Sequence, residues 1–338
     1  MRVGFNPQKD KVQLASDFFH QVVMPVYIPN HDGYFKDSFE ILKLCLESLF
    51  KTSHKRTYFT IVNNGSCSDV RDYLDELFKN ERIHEIIHTS NIGYINAMLK
   101  GITGHGFPFI TNTDSDVLFL ENWQEATYAV FNVFPKAGAV SPTPNSKMIK
   151  FLTANLLFDE GLTNKVRFSK VKNPQAMKYF AFSIGNKNLF SNVNLKKYLT
   201  INKNDFAAVV GAGHFVVTYK SDVFDVLDER FTKFVLGGDS DFIFDFPVVK
   251  KGLWRLSTTD NYAYHMGNTL EEWMLKVVEN LNENGLVYDK IPKISKAGAN
   301  TFINWFKNRI FSKVLFKKPI WRLFLRYKGL SKEEASVY

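Results

Sequence analysis

Phe109-Ile110-Thr111-Asn112-Thr113-Asp114-Ser115-Asp116-Val117-Leu118-Phe119 is the stretch on which the reading of this chain turns. An apolar segment delivers two carboxylates, one residue apart, into a turn, and an apolar segment resumes at once. That pattern predicts a buried strand, a polar strand end and a second strand behind it. Two hard oxygen donors at a strand end suit Mg2+ or Mn2+, which take carboxylates together with phosphate oxygens and water. Asp and Ser are also ordinary turn residues, and the string alone reads more readily as a solvated turn.

The flanking sequence supplies the context. Upstream, Gln21–Ile28 is rich in apolar and β-branched residues and stops at Pro29-Asn30, as a buried strand does. Phe39, Leu42, Leu46 and Leu49 place a helix over Lys36–Phe50. Thr57–Val62 reads as a second strand ending in the turn Asn63-Asn64-Gly65-Ser66, after which Ser68 or Asp69 caps a helix through Phe78. Ile83–His88 is a third strand, Asn91–Gly101 a helix and Phe107–Asn112 the fourth strand. Strands alternating with helices predict an α/β fold whose mostly parallel sheet is covered by helices on both faces. Ligands bind beyond the carboxyl ends of such strands. That rule selects the loop after Ile28, the turn Asn63–Ser66, and Asp114-Ser115-Asp116.

From Ser141 to Asp205 the pattern turns irregular, with Pro142, Pro144 and many Asn and Lys, and reads as an insertion forming part of an acceptor pocket. Regular signals return over Val209–Tyr219. They continue as a helix through Leu227, another over Asp239–Lys250 and a strand near Leu253–Thr258.

In order along residues 20–270, the chain resembles the inverting GT-A glycosyltransferases, particularly the family 2 group. Val23-Met-Pro-Val-Tyr-Ile28 is similar to their first strand with its Pro-x-Tyr ending. Ile61-Val-Asn-Asn-Gly-Ser66 resembles the turn that holds the nucleotide base, and Ser90-Asn-Ile-Gly-Tyr94 the segment opening the next helix. Asp114-Ser-Asp116 stands where the family has its metal-binding Asp-x-Asp. Gly211-Ala-Gly213 resembles the glycine-rich loop bordering donor and acceptor sites, and Gly237-Gly-Asp-Ser-Asp-Phe242 the acidic segment carrying the base. Lys250-Lys-Gly-Leu-Trp254 echoes the trailing basic-Gly-aromatic strand, and Tyr264-His-Met-Gly267 the histidine that completes the metal site.

The resemblance implies a GT-A fold and a divalent cation, Mn2+ or Mg2+, on Asp114, Asp116 and His265. It implies a UDP-, dTDP- or GDP-sugar contacted by Pro25, Tyr27, Asn63, Asn64, Asn91, Gly93, Asp114 and Ser115, with Gly211, Ala212 and Gly213 lining the reacting centre. Inversion needs one base opposite the leaving group, and Asp239 stands in that place, with Asp241 as its competitor. Asp239 as a plain helix cap and His265 as an ordinary hydrogen-bonder are the bland alternatives. Asn63 departs from the family's usual Asp. An amide both donates and accepts, so a pyrimidine or a guanine donor is open.

Thr301–Lys328 holds eight Lys or Arg and no Asp or Glu; the net charge of the whole chain is +9, so the remainder carries +1. Phe302, Phe306, Ile310 and Val314 recur at i+4 spacing among basic residues, and Pro319 divides two helices. A cationic, Trp- and Phe-rich amphipathic helix favours an anionic membrane surface; the alternative is an apolar face packed on the catalytic domain. The nearly neutral body argues against nucleic-acid coating, and no nucleic-acid partner is expected. With two unrelated cysteines, Cys45 and Cys67, no long apolar span and charges at Lys9, Asp10, Lys11 and Asp17, a cytoplasmic, peripherally membrane-associated protein is expected.

The domain reading is a GT-A catalytic domain over 1–270 and a helical, basic-aromatic extension over 271–338. The activity expected is transfer of a sugar to a hydroxyl of a glycan or lipid-linked glycan. A retaining glycosyltransferase, a nucleotidyltransferase and an inactive membrane-bound module are the rivals. No Gly- and Arg/Lys-rich phosphate loop follows Ile28, which disfavours the nucleotidyltransferase.

Overall fold

The computed structural model describes residues 3–12, 16–227, 230–237, 240–282, 288, 292 and 301–338. Twelve strands occur among them: β1 (His20–Val26), β2 (Thr57–Asn64), β3 (Glu85–Thr89), β4 (Phe109–Thr113), β5 (Val117–Phe119), β6 (Ala137–Ser141), β7 (Val166–Lys170), β8 (Lys197–Lys203), β9 (Phe206–Val210), β10 (Val216–Lys220), β11 (Trp254–Ser257) and β12 (Ala263–His265). Ten form one sheet in the order β3-β2-β1-β4-β10-β6-β11-β9-β8-β7, and β12 pairs with β5 in a small second sheet. β3, β2, β1 and β4 run parallel. β10 is inverted between β4 and β6, and β11 runs parallel to β6. This is the α/β sheet with helical cover that the sequence predicts, and it is a GT-A arrangement.

The period of two along β1 separates two cores. Val22, Met24 and Val26 pack with Leu42 and Leu46 of α1 (Ser38–Thr52) and Leu74 of α2 (Ser68–Lys79). Val23 points the other way, toward Ile95 and Met98 of α3 (Tyr94–Gly101). Pro25 is tolerated inside this strand because the β1–β4 pairing ends at Val23↔Asn112, so its missing N–H lies beyond the ladder on that side.

Beneath the N-terminal half lies a polar knot. The His20 ring bonds the Tyr128 hydroxyl of α4 (Trp123–Val133) through Nδ1 and Thr111 Oγ1 through Nε2 at 2.6 Å, while His54 Nε2 meets the same Tyr128 hydroxyl at 2.8 Å. Burial lowers the pKa of both imidazoles, His54 to about 4.

The segment 141–205 is regular rather than loop-like. It forms α5 (Ala154–Glu160), β7, α6 (Pro174–Ser183) and β8, and extends the sheet by two antiparallel strands. The predicted helix through Leu227 is a 3-10 turn over Ser221–Val226, and the region to Lys250 is two short helices, Ser240–Phe244 and Phe246–Lys250, interrupted at Asp245.

The basic segment after residue 300 docks on the body of the fold. Leu315, Trp321, Phe324, Leu325 and Leu330 join the core built by Phe109, Phe131 and Trp254. Lys307 pairs with Asp159, Asn304 Nδ2 donates to Val249 O at 2.6 Å, and Lys197 Nζ bonds Glu334 at 2.7 Å. The i+4 stripe is not the buried face: Phe302, Ile310 and Val314 are exposed. A wide π turn at Lys307–Phe311 shifts the helical phase. The chain breaks at Phe316-Lys317, and Pro319 sits in the first turn of the helix Lys318–Tyr327, where its missing N–H costs nothing. No helix among the described residues is long and apolar enough to cross a membrane.

Candidate active site

β4 ends at Thr113, and Asp114-Ser115-Asp116 forms the link to β5. Antiparallel pairing of β12 with β5 sets His265 opposite Val117, and Met266 N donates to Asp116 O at 2.8 Å. Ligand atoms of Asp114, Asp116 and His265 consequently lie within 4.8 Å of one another. Two carboxylates held this close repel. Burial first raises both of their pKa values, and at Asp114 the charge of Asp116 raises it further. Burial keeps His265 neutral by lowering its pKa, against the opposing charge of Asp114. Asp116 Oδ1 is buried without a hydrogen-bond partner, the atom a cation would satisfy. The donor set of two carboxylate oxygens and a neutral imidazole nitrogen fits Mn2+ or Mg2+.

Four neighbours hold these ligands. The Tyr94 hydroxyl donates to Asp114 Oδ1 at 2.5 Å. Ser183, at the end of α6, contacts His265 Nδ1 at 2.9 Å and turns Nε2 toward Asp116, 3.5 Å away. Phe180 and Phe215 stack on one another and present ring edges to the same imidazole.

The other strand ends are polar and already committed. Asn63 Oδ1 accepts from Ser66 N at 3.0 Å while its amide nitrogen bonds Nδ1 of His88, whose Nε2 is tied to Asp75. Asn64 Oδ1 accepts from Ile92 N and Asn91 Oδ1 from Gly93 N, so the amides shape the turn. Gly93 has φ +89, and a Cβ there would sit 2.7 Å from Phe234 O. This turn delays the start of α3 to Tyr94 rather than Asn91. Pro25 is buried in β1, and Tyr27 stands exposed at its exit. The loop 230–237 is pinned to α3, with Asn96 bonding both backbone atoms of Thr232 and Tyr94 N donating to Val235 O. Gly238 and Asp239 lie outside the described residues. Asp241 belongs to the helix Ser240–Phe244, and its side chain is likewise outside the described set.

A network the sequence did not announce stands behind the glycine loop. Asp245, fully buried, accepts from Arg255 at 3.0 Å, the Tyr219 hydroxyl at 3.0 Å and His214 Nδ1 at 2.9 Å. Burial alone would raise this carboxyl, but Arg255, His214 and Tyr219 outweigh it and hold it below the ordinary carboxylate range. Arg255 also donates to Phe151 O and Ala212 O. The loop Gly211-Ala212-Gly213 is thereby clamped, with Gly211 at φ +101 and no room for a Cβ against Met148 O.

Asp114, His214 and His265 border a cavity of about 390 Å3. Its remaining wall comes largely from the 141–205 segment and includes Met148, Met177, Phe180, Ile184, Leu189 and Phe190. Sequence reasoning missed His214, although it directly follows Gly213 of the glycine loop. Ser183 and Phe180 carried no signal, since they reach His265 across 82 and 85 positions only through the fold.

Two carboxylates and a histidine converging beyond β4 form the site expected of a glycosyltransferase. The family model for glycosyl transferase family 2 matches residues 22–193, half of the chain, and the chain belongs to that family. Among solved structures, S. aureus TarS 1-349 aligns with a TM-score of 0.44 at 10% identity, covering 90% of this chain and 78% of that one. The mannosyltransferase PcManGT from Pyrobaculum calidifontis, solved with GDP-Man and Mn2+, aligns with a TM-score of 0.41 at 11% identity over 75% of this chain and 59% of that one. No curated protein sequence matches the chain.

Proposed function

We propose that the enzyme transfers a sugar from a nucleotide donor to a hydroxyl of a glycan or lipid-linked glycan, with inversion, in cell-surface polysaccharide or glycolipid synthesis. The observation that carries this reading is the convergence of Asp114, Asp116 and His265 with an unpartnered buried oxygen on Asp116. A divalent cation bound there supplies positive charge against the departing diphosphate. The protein's own residues do the rest. Ser183 fixes the His265 ring and Tyr94 fixes Asp114. Asn63, Asn64, Asn91 and Gly93 form the turn proposed to hold the base, with Pro25, Tyr27 and Ser115 beside the donor. Gly211, Ala212 and Gly213, clamped by Arg255, border the reacting centre. Asp239 takes the acceptor proton, with Asp241 as the alternative base.

Thermal unfolding with UDP, GDP and dTDP, each with and without Mn2+, tests the donor site. A stabilisation that needs both nucleotide and metal is expected with one of the three, since ligands of the native state raise its stability by mass action. A retaining product, or full activity in Asp239→Asn, removes the inverting assignment.

The same reading divides the chain into a catalytic domain over 1–270 and an extension over 271–338, and places the enzyme peripherally on the cytoplasmic membrane face. Exposed Trp305, Ile310, Val314 and Leu323 beside exposed Arg309, Lys313, Lys317 and Lys318 support this. Co-sedimentation with phosphatidylglycerol vesicles, weakened by salt and absent with phosphatidylcholine alone, is the expected result. Equal binding to both lipids, or to neither, ends that assignment.

A further inference from the structure

We infer that the acceptor carries an apolar group next to its reactive hydroxyl, and that this group seats in the cavity under α6. The inference rests on the glycosyltransferase reading and names the substrate class of the same site. The cavity of about 390 Å3 starts at the cation ligands Asp114 and His265, where the transferred sugar must part from its diphosphate. That volume lies within the roughly 300–1,000 Å3 of ordinary small-molecule sites.

Beyond those ligands its wall is largely apolar, with Met148, Met177, Ile184, Leu189 and Phe190, beside a polar rim of Thr143, Asn145, Lys147 and Asn261. A sugar carries a hydroxyl on nearly every carbon, and each one buried without a partner costs about 1–3 kcal/mol. Part of that rim is engaged elsewhere: Asn145 Oδ1 accepts from Lys147 N at 2.9 Å, and Asn261 Nδ2 donates to Ala263 O at 2.8 Å. A hydroxyl-rich ring in that region therefore finds few partners. An alkyl, prenyl or aryl group finds contact on several sides, and two methionines let the wall adjust to its shape.

All but Met148 of these apolar residues lie on α6 or the chain just after it, the element whose Ser183 orients His265. The wall that takes the apolar group and the ligand that takes the cation are thus carried by one short helix and its exit. An occupant at Phe180 sits against the face that positions His265, close enough to lie beside the reacting carbon.

The test uses the full chain labelled with 13C at the methionine methyls and titrated with n-alkanols from butanol to octanol. These probes combine a hydroxyl with an apolar chain and require no knowledge of the sugar. Met148 and Met177 signals, assigned with Met148→Leu and Met177→Leu, are expected to move, while Met24, Met98 and Met274 stay still. Affinity is expected to rise about fourfold per added methylene until the cavity fills, from the usual burial of a CH2. Ile184→Gln, at a half-exposed position, is expected to lower octanol affinity several-fold.

Glucose and methyl glucoside serve as polar probes. If they move Met148 and Met177 as strongly as octanol does, the cavity is a sugar subsite and the inference falls. It falls equally if no probe moves them, or if alkanol affinity is flat with chain length. The stabilisation by nucleotide with Mn2+ is read separately on the unlabelled protein. Its absence beside normal alkanol binding faults the donor reading and not the cavity.

Discussion

The two walls that meet at Asp114 are built on opposite principles. The wall formed by the ends of β1, β2 and β4 is polar and internally bonded, with Asn63, Asn64 and Asn91 each spending side-chain atoms on neighbouring backbone. The wall formed by the 141–205 segment is apolar and leaves a cavity between itself and the sheet. A bonded polar turn is rigid and, on the proposed function, suits the base and phosphates of the donor. An apolar recess is selective by shape and suits the part in which acceptors differ. The second wall rests on one deep ion pair, Asp245 with Arg255, neither exposed by more than 1%. The first rests on the neutral knot of His20, His54 and Tyr128.

The largest effect should come from removing that ion pair's cation. Arg255→Met leaves Asp245 buried and uncompensated, and urea unfolding should show a loss of about 3–5 kcal/mol. A loss below about 1 kcal/mol would mean that His214 and Tyr219 suffice to hold Asp245, and that the second wall has other supports.

Next in size is Asp116→Ala, which addresses charge compensation on the first wall. Activity should fall by about 10²–10³-fold, the scale of one lost electrostatic contact to the transition state. The metal-dependent part of the nucleotide stabilisation should vanish. Alkanol shifts at Met177 should persist, because the two walls bind different chemistry. Loss of both would merge the walls into one site.

Acid probes the foundation of the first wall. His54 titrates at about 4 in the folded protein against 6.5 for the free side chain, so the fold holds it neutral. The unfolded chain takes up the proton first as pH falls. Stability from this group is therefore complete above pH 6.5 and drains away between 6.5 and about 4, by roughly 3 kcal/mol in all. His20 acts in the same direction. Melting temperatures from pH 8 to 4 check this, and His54→Gln should flatten the decline. An unchanged decline in that variant would assign it to other groups.

The smallest effect lies at the seam. Ser183→Ala frees the His265 ring, and Mn2+ affinity should weaken about 10-fold, the low end for groups that orient a metal ligand. Unchanged affinity would show that Phe180 and Phe215 alone hold the imidazole.

The first wall was largely readable beforehand because its signals are local. Buried strands announce themselves as apolar runs, and the turns after them as Asn, Gly, Asp and Ser, so β1 to β4 and Asp114-Ser115-Asp116 fall where the pattern puts them. Boundaries slipped where a side chain bonded out of register, as when Asn91 closed its own turn and delayed α3. The second wall was not readable. Its first strand, β7, is short and half-exposed, its helices are brief, and many of its partners lie 60 or more positions away. In the extension the apolar spacing was visible, but a π turn decided which residues faced the core.

Alone, the sequence determined the strand–helix alternation, the two carboxylates at the end of β4 and the glycines that bend at Gly93 and Gly211. These depend on hydrophobic period and on backbone angles, which are properties of neighbouring residues. Tertiary structure alone decided that His265 is steadied by Ser183, that Asp245 is neutralised by Arg255, and that α6 roofs an apolar cavity. A hydrogen bond needs two atoms within about 3 Å, and a cavity needs walls from several elements. Neither is specified until distant segments are folded against one another.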